Sequence, residues 1–277
     1  MREKIKIGKI ISQLFLLFYS IVSIYPLFWL LLFSLKNNNE IFGGNIAGLP
    51  KHWKFENYIS AFEQAKVLDY LGNSVLVTSI TILIVIILSS TAAFALERMI
   101  WRGQKTMMKV ILIGMMVPIH ATLLPLFMVL KNLHLLNTYW GLIIPYVAFG
   151  IPMGIYITTS FLSSIPRELE EAAAIDGCGI FKIFAVIILP LVKPALATIS
   201  IFTYISSWNE LMFAVTFISK QEYKTLTVGI MSMVGAYTTK WGEIGAGLVI
   251  ATIPTIFIYI LLSEQVQKSL VTGAVKG

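Results

Sequence analysis

Residues 167–190 read RELEEAAAIDGCGIFKIFAVIILP, a short acidic, alanine-rich run set between stretches apolar enough for lipid. Pro166, just before it, suits a first helical turn, where a missing N–H costs nothing. Glu168, Glu170 and Glu171 crowd the early turns, where negative charge favours the helix dipole. Ala172, Ala173 and Ala174 are strong helix formers with almost no side-chain bulk. Gly177 stands where a left-handed residue would end the helix. The run therefore predicts a helix of about three turns lying outside the bilayer. Ile180 to Pro190 predicts a second, apolar helical piece, and Pro190 and Pro194 mark a bend into the span that follows.

The rest of the chain supplies that bilayer. Of 277 residues 57% are hydrophobic and only 13% charged, more apolar surface than a soluble domain of this length can hide. Six stretches near 10–35, 71–96, 107–130, 139–162, 191–217 and 244–266 are each long enough to cross a membrane as a helix. The runs are continuous and do not alternate, so helices are preferred to a barrel. The predicted fold class is an all-α integral membrane protein of about six spans. Residues 1–9 form an N-terminal segment, 10–266 the transmembrane domain with a polar loop at 163–190, and 267–277 a tail. The first apolar segment reads as a retained helix, because it is longer than a signal-peptide core and lacks a clear small-residue cleavage site.

The net charge of +7 belongs to the loops between apolar runs, which is how a membrane protein fixes its orientation, and it does not call for nucleic acid. Arg2, Lys4, Lys6, Lys9, Arg98, Arg102, Lys105, Lys109, Arg167, Lys182, Lys193, Lys268 and Lys276 fall on one side. That side holds the majority, which predicts both termini and the acidic run in the cytoplasm. Pro26, Pro118, Pro125, Pro145, Pro152 and Pro254 lie inside the predicted spans and predict kinks. Gly150 and Gly154 form a G-x-x-x-G pair, suited either to close approach of another helix or, with Pro152 between them, to a bend.

The chain offers little chemistry of its own. No phosphate loop, H-E-x-x-H or paired cysteines occur, and His52, His120 and His134 are scattered, so no catalytic, metal or cofactor site is expected. Cys178 stands alone and reads as a small filler. Polar groups inside spans are costly unless they face partners or water. Glu210, with Trp208 and Asn209, is the clearest such group. It suits a path for a hydroxyl-rich solute, with Trp208 stacking on a sugar face, or equally a structural polar cluster between helices. His120, between Pro118 and Pro125, is a weaker path residue and also suits hydrogen-bonded packing. The acidic run is likewise open to two readings: an ordinary solvated loop helix, or a small-faced key whose carboxylates meet a partner's Arg or Lys.

A resemblance separates those two. The run matches E-A-A, three residues, G, nine residues, I-x-L-P at Glu171-Ala172-Ala173, Gly177 and Ile187-Ile188-Leu189-Pro190. This signature resembles that of the membrane subunits of ATP-binding-cassette importers. The stretches LLNTYWGLIIPY, IPMGIYITTSFLSSIPRELEEAA and SSWNELMFAV, with the ending LVTGAVKG, are similar to the carbohydrate-uptake, MalG-type branch of that family. Ser269-Leu270-Val271 departs from the Gly-Leu-Thr common in its members. The resemblance implies the type I importer permease fold, with Glu171, Ala172, Ala173, Gly177, Ile187, Leu189 and Pro190 in a coupling loop that docks on an ATPase subunit. It implies a second contact at residues 274–277. It also implies a second homologous permease, an ATPase dimer that holds ATP and magnesium, an extracellular or periplasmic binding protein, and a di- or oligosaccharide substrate. An importer of glycerol-phosphate or polyamine is the nearest alternative. A carrier working alone would need ionisable groups across several spans, and Glu210 and His120 are essentially all there is.

Overall fold

A computed structural model describes the backbone of residues 2–63, 65–235 and 239–274, and side chains over 9–63, 65–235 and 239–263. In chain order the helices are α1 (Arg2–Ser34), α2 (Asn38–Phe42), α3 (Glu56–Glu63), α4 (Val67–Glu97), α5 (Gln104–Gly114), α6 (Leu123–Asn132), α7 (Trp140–Leu162), α8 (Glu168–Ile175), α9 (Ile180–Lys182), α10 (Leu189–Leu191), α11 (Lys193–Trp208), α12 (Met212–Phe217), α13 (Leu226–Met231) and α14 (Trp241–Ala274). Four stretches cross-bilayer in length and composition are single helices: Lys9–Ser34, Val67–Glu97, Trp140–Leu162 and Trp241–Ser263. Two more exist only as bent pairs, Gln104–Gly114 with Ile119–Asn132 at 88° and Ile180–Leu191 with Lys193–Trp208 at 73°. The protein is thus an all-α, multi-spanning membrane protein with four spans, or six if each bent pair is one.

The 73° bend between Leu191 and Lys193 falls where Pro190 and Pro194 predict one, but two expected spans are broken. Residues 107–130 do not form one helix: the turn at Met115–Val117 and extended Pro118 (ψ 116°) break it. Residues 191–217 are also interrupted, at Asn209–Leu211, after which α12 starts afresh. Pro26, Pro145, Pro152 and Pro254, by contrast, remain inside α1, α7 and α14.

The chain divides into two compact units, residues 1–68 with 229–253, and 69–228 with 254–277. In the first, the loop after α1 closes on a buried cation. Lys36 is fully buried, and its Nζ donates to the carbonyls of Asn45 at 2.7 Å, Ile46 at 3.1 Å and Gly48 at 2.6 Å. Asn57 Nδ2 donates to the carbonyls of Ser34 and Lys36, and Asn38 accepts from Trp241 N and donates to Thr239 O. A methyl on Gly242 would run into Lys36 O and Asn57 Nδ2, so only glycine lets α14 start against this knot. Lys36→Met keeps the stem but removes the donor shared by three loop carbonyls, of which Ile46 O alone keeps another, Trp29 Nε1. We expect a loss of about 1–3 kcal/mol, read as a lower thermal midpoint of the purified protein.

The core of the second unit is built on α7, half of whose most apolar stretch is buried. Val85 on α4, Leu142, Ile143 and Tyr146 on α7, Ile199 on α11, and Phe213 and Phe217 on α12 form its centre. The G-x-x-x-G pair serves close approach here. A methyl on Gly150 would come within 2.9 Å of Val85 Cγ2, and one on Gly154 within 2.7 Å of Ser89, so the two glycines let the backbone of α7 seat directly on these α4 side chains. At one end, Asn137 (φ 58°) accepts through Oδ1 from Ser219 N, Ser219 Oγ and Lys220 N, tying the turn before α7 to the segment after α12.

Candidate functional site: a clipped surface helix and an intramembrane cavity

The acidic run folds into α8, eight residues or about two turns, shorter than the three expected. Gly177, at φ 79°, ends it in the left-handed region, where a side chain would be strained. The amide of Cys178 returns to Ala173 O at 2.9 Å and closes the turn.

The two faces of α8 differ. Ala173 is 7% exposed and packs with Ala93, Phe94, Leu162, Ile183, Ile188 and Val192, with Ile187 and Leu189 beside them. Glu170, one turn earlier on the same face, lies 2.9 Å from Arg98 through Oε1. Arg98 Nε does not aim its N–H at that oxygen, so the contact is an ion pair rather than a hydrogen bond. The opposite face carries Glu168, Glu171, Ala172 and Ile175, all exposed, at i, i+3, i+4 and i+7. Ile175 and, just beyond, Phe181 are each 87% exposed. Glu171 makes no ion pair among the described residues. Pro190 is exposed, and the chain from Ile183 to Ile188 is a π-helical turn leading into the 73° bend. Val275–Gly277 and the side chain of Ala274, expected to form a second contact, lie outside the described residues.

The second feature is a cavity of about 400 Å³ bounded by α5, α7 and α11. Its polar lining is Tyr146, Thr203, Ser206, Ser207 and Glu210, and Gly150 and Gly154 continue the Tyr146 face of α7 along it. Of the four expected path residues, Glu210 lines it. Trp208 is buried and stacks on Tyr204 at 5.2 Å. Asn209 is exposed and donates to Ile205 O, and His120 stands edge-on to Phe213 at 6.1 Å.

Glu210 is also the cap of α12. Its Oε1 accepts from Phe213 N at 2.8 Å; its Oε2 accepts from Ala214 N at 3.0 Å and Tyr146 OH at 2.8 Å. Its own carbonyl accepts from Thr227 Oγ1. These contacts satisfy the amides that open α12, which have no partner of their own within the helix. In Glu210→Gln an amide –NH2 must face one of those donors. We expect a cost of about 1–3 kcal/mol, read as a lower melting point in detergent, with Tyr146→Phe the milder variant.

The partners that matter most here, Arg98 and Tyr146, leave no local trace in the sequence. Arg98 is one of several loop cations by its position, and nothing around Tyr146 in the sequence points to Glu210. Among the described residues no three His, Cys, Asp or Glu side chains stand together as a metal site.

Comparison with known proteins assigns the family. Residues 85–272 match the family model described as binding-protein-dependent transport system inner membrane component. The probable ABC transporter permease protein YurM of Bacillus subtilis is 38% identical over 276 residues, covering 100% of this chain and 91% of that one. The diacetylchitobiose uptake system permease protein NgcG of Streptomyces coelicolor is 33% identical, covering 95% and 87%. The trehalose/maltose transport system permease protein MalG of Thermococcus litoralis is 31% identical, covering 100% of each chain. In three dimensions, a chain of a bacterial ABC transporter involved in the import of the acidic polysaccharide alginate superposes with a TM-score of 0.81 at 23% identity, covering 94% of this chain and 96% of that one. The chain therefore belongs to the binding-protein-dependent transport system inner membrane components and is an ABC transporter permease of the type I importer fold.

Proposed function

We propose that this chain is a permease subunit of an ATP-driven, binding-protein-dependent importer of di- or oligosaccharides, of the MalG type. The observation that carries the reading is α8: a short helix anchored on one face and bare on the other, where Glu171, Ala172 and Ile175 are exposed. Such a face suits a groove on an ATPase subunit, small residues allowing close approach and Glu171 meeting a cation. Relatives named for diacetylchitobiose and for trehalose and maltose support a sugar substrate.

In this reading α8 and both termini face the cytoplasm. A second homologous permease completes the path, and the cavity walled by Thr203, Ser206, Ser207 and Glu210 opens onto it. A loaded binding protein docks on the opposite side. ATP, held with magnesium on the ATPase dimer, closes that dimer, and α8 carries the movement into the spans. ATP and sugar then bias the same two states, inward-open and outward-open, which is what coupling requires.

The test is reconstitution of this chain with a homologous permease, an ATPase and a binding protein from the same organism. Hydrolysis stimulated by loaded binding protein, and uptake of labelled oligosaccharide that stops without ATP, is the expected result. Uptake by this chain without the ATPase would instead make it a carrier acting alone. Stimulation by glycerol-phosphate or polyamine, and not by sugars, would move the substrate class.

A further inference from the structure

Arg98 follows directly on α4, in an apolar setting, with its side chain only 4% exposed. Its Nη2 donates to Leu162 O at 2.9 Å, an oxygen that also accepts from Ile165 N, and to Ile165 O at 2.7 Å, so it holds the last residue of α7 and the turn that follows. A cation there also meets the negative end of the α7 dipole. Its Nε lies 2.9 Å from Glu170 of α8. Arg167, at the start of α8, reaches back through Nη2 to Glu97 O at 2.9 Å, the last residue of α4. One guanidinium therefore joins the ends of two spans to the surface helix, and a second arginine closes the loop in reverse.

The other end of α8 is attached differently. The chain leaves through Gly177 in the left-handed conformation, the π-helical turn Ile183–Ile188 and the 73° bend before α11. Interruptions of this kind absorb displacement, whereas a buried charged clip passes it on.

We propose that Arg98 is the positioning residue that transmits movement of α8 to α4 and α7, rather than to α11 along the chain. The proposal rests on the reading of α8 as the ATPase-docking element. Glu170 holds the clip to α8, and the carbonyls of Leu162, at the end of α7, and Ile165, just past it, hold it to the span. Removing Arg98 leaves α8 able to dock, through its opposite face, and still seated by Ala173 and Arg167, but takes away the buried charged tie that joins it to the end of α7.

The experiment uses the complete reconstituted transporter and measures sugar taken up per ATP hydrolysed, together with co-elution of the ATPase. In Arg98→Met the ATPase should still co-elute, and sugar per ATP should fall at least tenfold. Arg98→Lys, which keeps the charge and can still donate, should recover part of that ratio. Glu170→Gln leaves Arg98 on its carbonyls and should lower the ratio at least threefold, so it decides the matter if Arg98→Met fails to assemble. A wild-type ratio in Glu170→Gln, or in an assembled Arg98→Met, overturns the proposal. A wild-type complex without ATP-dependent uptake would sink the functional reading itself and is seen before any variant is made.

Discussion

Glu171→Lys is expected to reduce ATP-dependent uptake at least tenfold while leaving the melting point of the isolated permease nearly unchanged. The carboxylate is exposed and has no ion pair among the described residues, so its loss removes no support from α8. A lysine in the first turns does oppose the helix dipole, but exposed charges there are worth only about 0.3–1 kcal/mol. Across an interface the balance differs. Truncating one member of a buried charge pair costs about 2–5 kcal/mol, and placing like charges together costs several more. Since about 1.4 kcal/mol is a factor of ten in affinity, docking should weaken by well over tenfold. The measurement is co-elution of the ATPase with the variant, followed by uptake. Normal co-elution and uptake would mean that the bare face of α8 is only solvated surface.

Gly154→Leu should fail at an earlier step, by disturbing the fold. Even the first carbon of a side chain would stand 2.7 Å from Ser89 Cβ and Oγ, and Ser89 is fully buried on α4. The neighbour is a span, not the end of a flexible side chain, so α4 and α7 must separate. Overpacking of this kind costs about 1–3 kcal/mol, and closely packed small residues are what hold such helices together in lipid. A fall in melting temperature of roughly 2–12 °C follows from that range. Gly72→Ala on α4 is the control, because a methyl there meets nothing within 4 Å. An unchanged Gly154→Leu protein would mean that the two helices are free to part.

Both variants act on features the sequence announces unequally. Four spans follow from apolar length alone, and Gly177 marks the end of α8 by its freedom at positive φ. The break near 115–118 was signalled by Pro118, yet a proline is compatible with a gentle kink too, as Pro145 and Pro152 inside α7 demonstrate. The break at Asn209–Leu211 has no proline. It exists because Glu210 caps a new helix with help from Tyr146, 64 residues away in the chain. Likewise Arg98 finds its two carbonyl partners 64 and 67 residues on. Periodicity and capping are local and leave a trace in the sequence; a charged side chain's distant partner does not. Glu210 was legible as an unusual group, therefore, but its role as a cap was not.

The knot around Lys36 has a consequence for the making of the protein. Asn38 is joined to Thr239 and Trp241, 201 and 203 residues later. The first span has none of its most apolar stretch buried, so nothing in the chain need wait for it to enter lipid. The loop behind it must wait. At ~5–20 residues per second, about 10–40 s separate the synthesis of Asn38 from that of Trp241. Until then Asn38 has no partner and Gly242 has nothing to fit against. A nascent or truncated chain could hold most of its spans in the bilayer and still leave this loop open to proteases. Closure of the knot thus marks the arrival of residues 239–242, and a protease-sensitive site near residue 38 would distinguish chains that have not reached α14 from those that have.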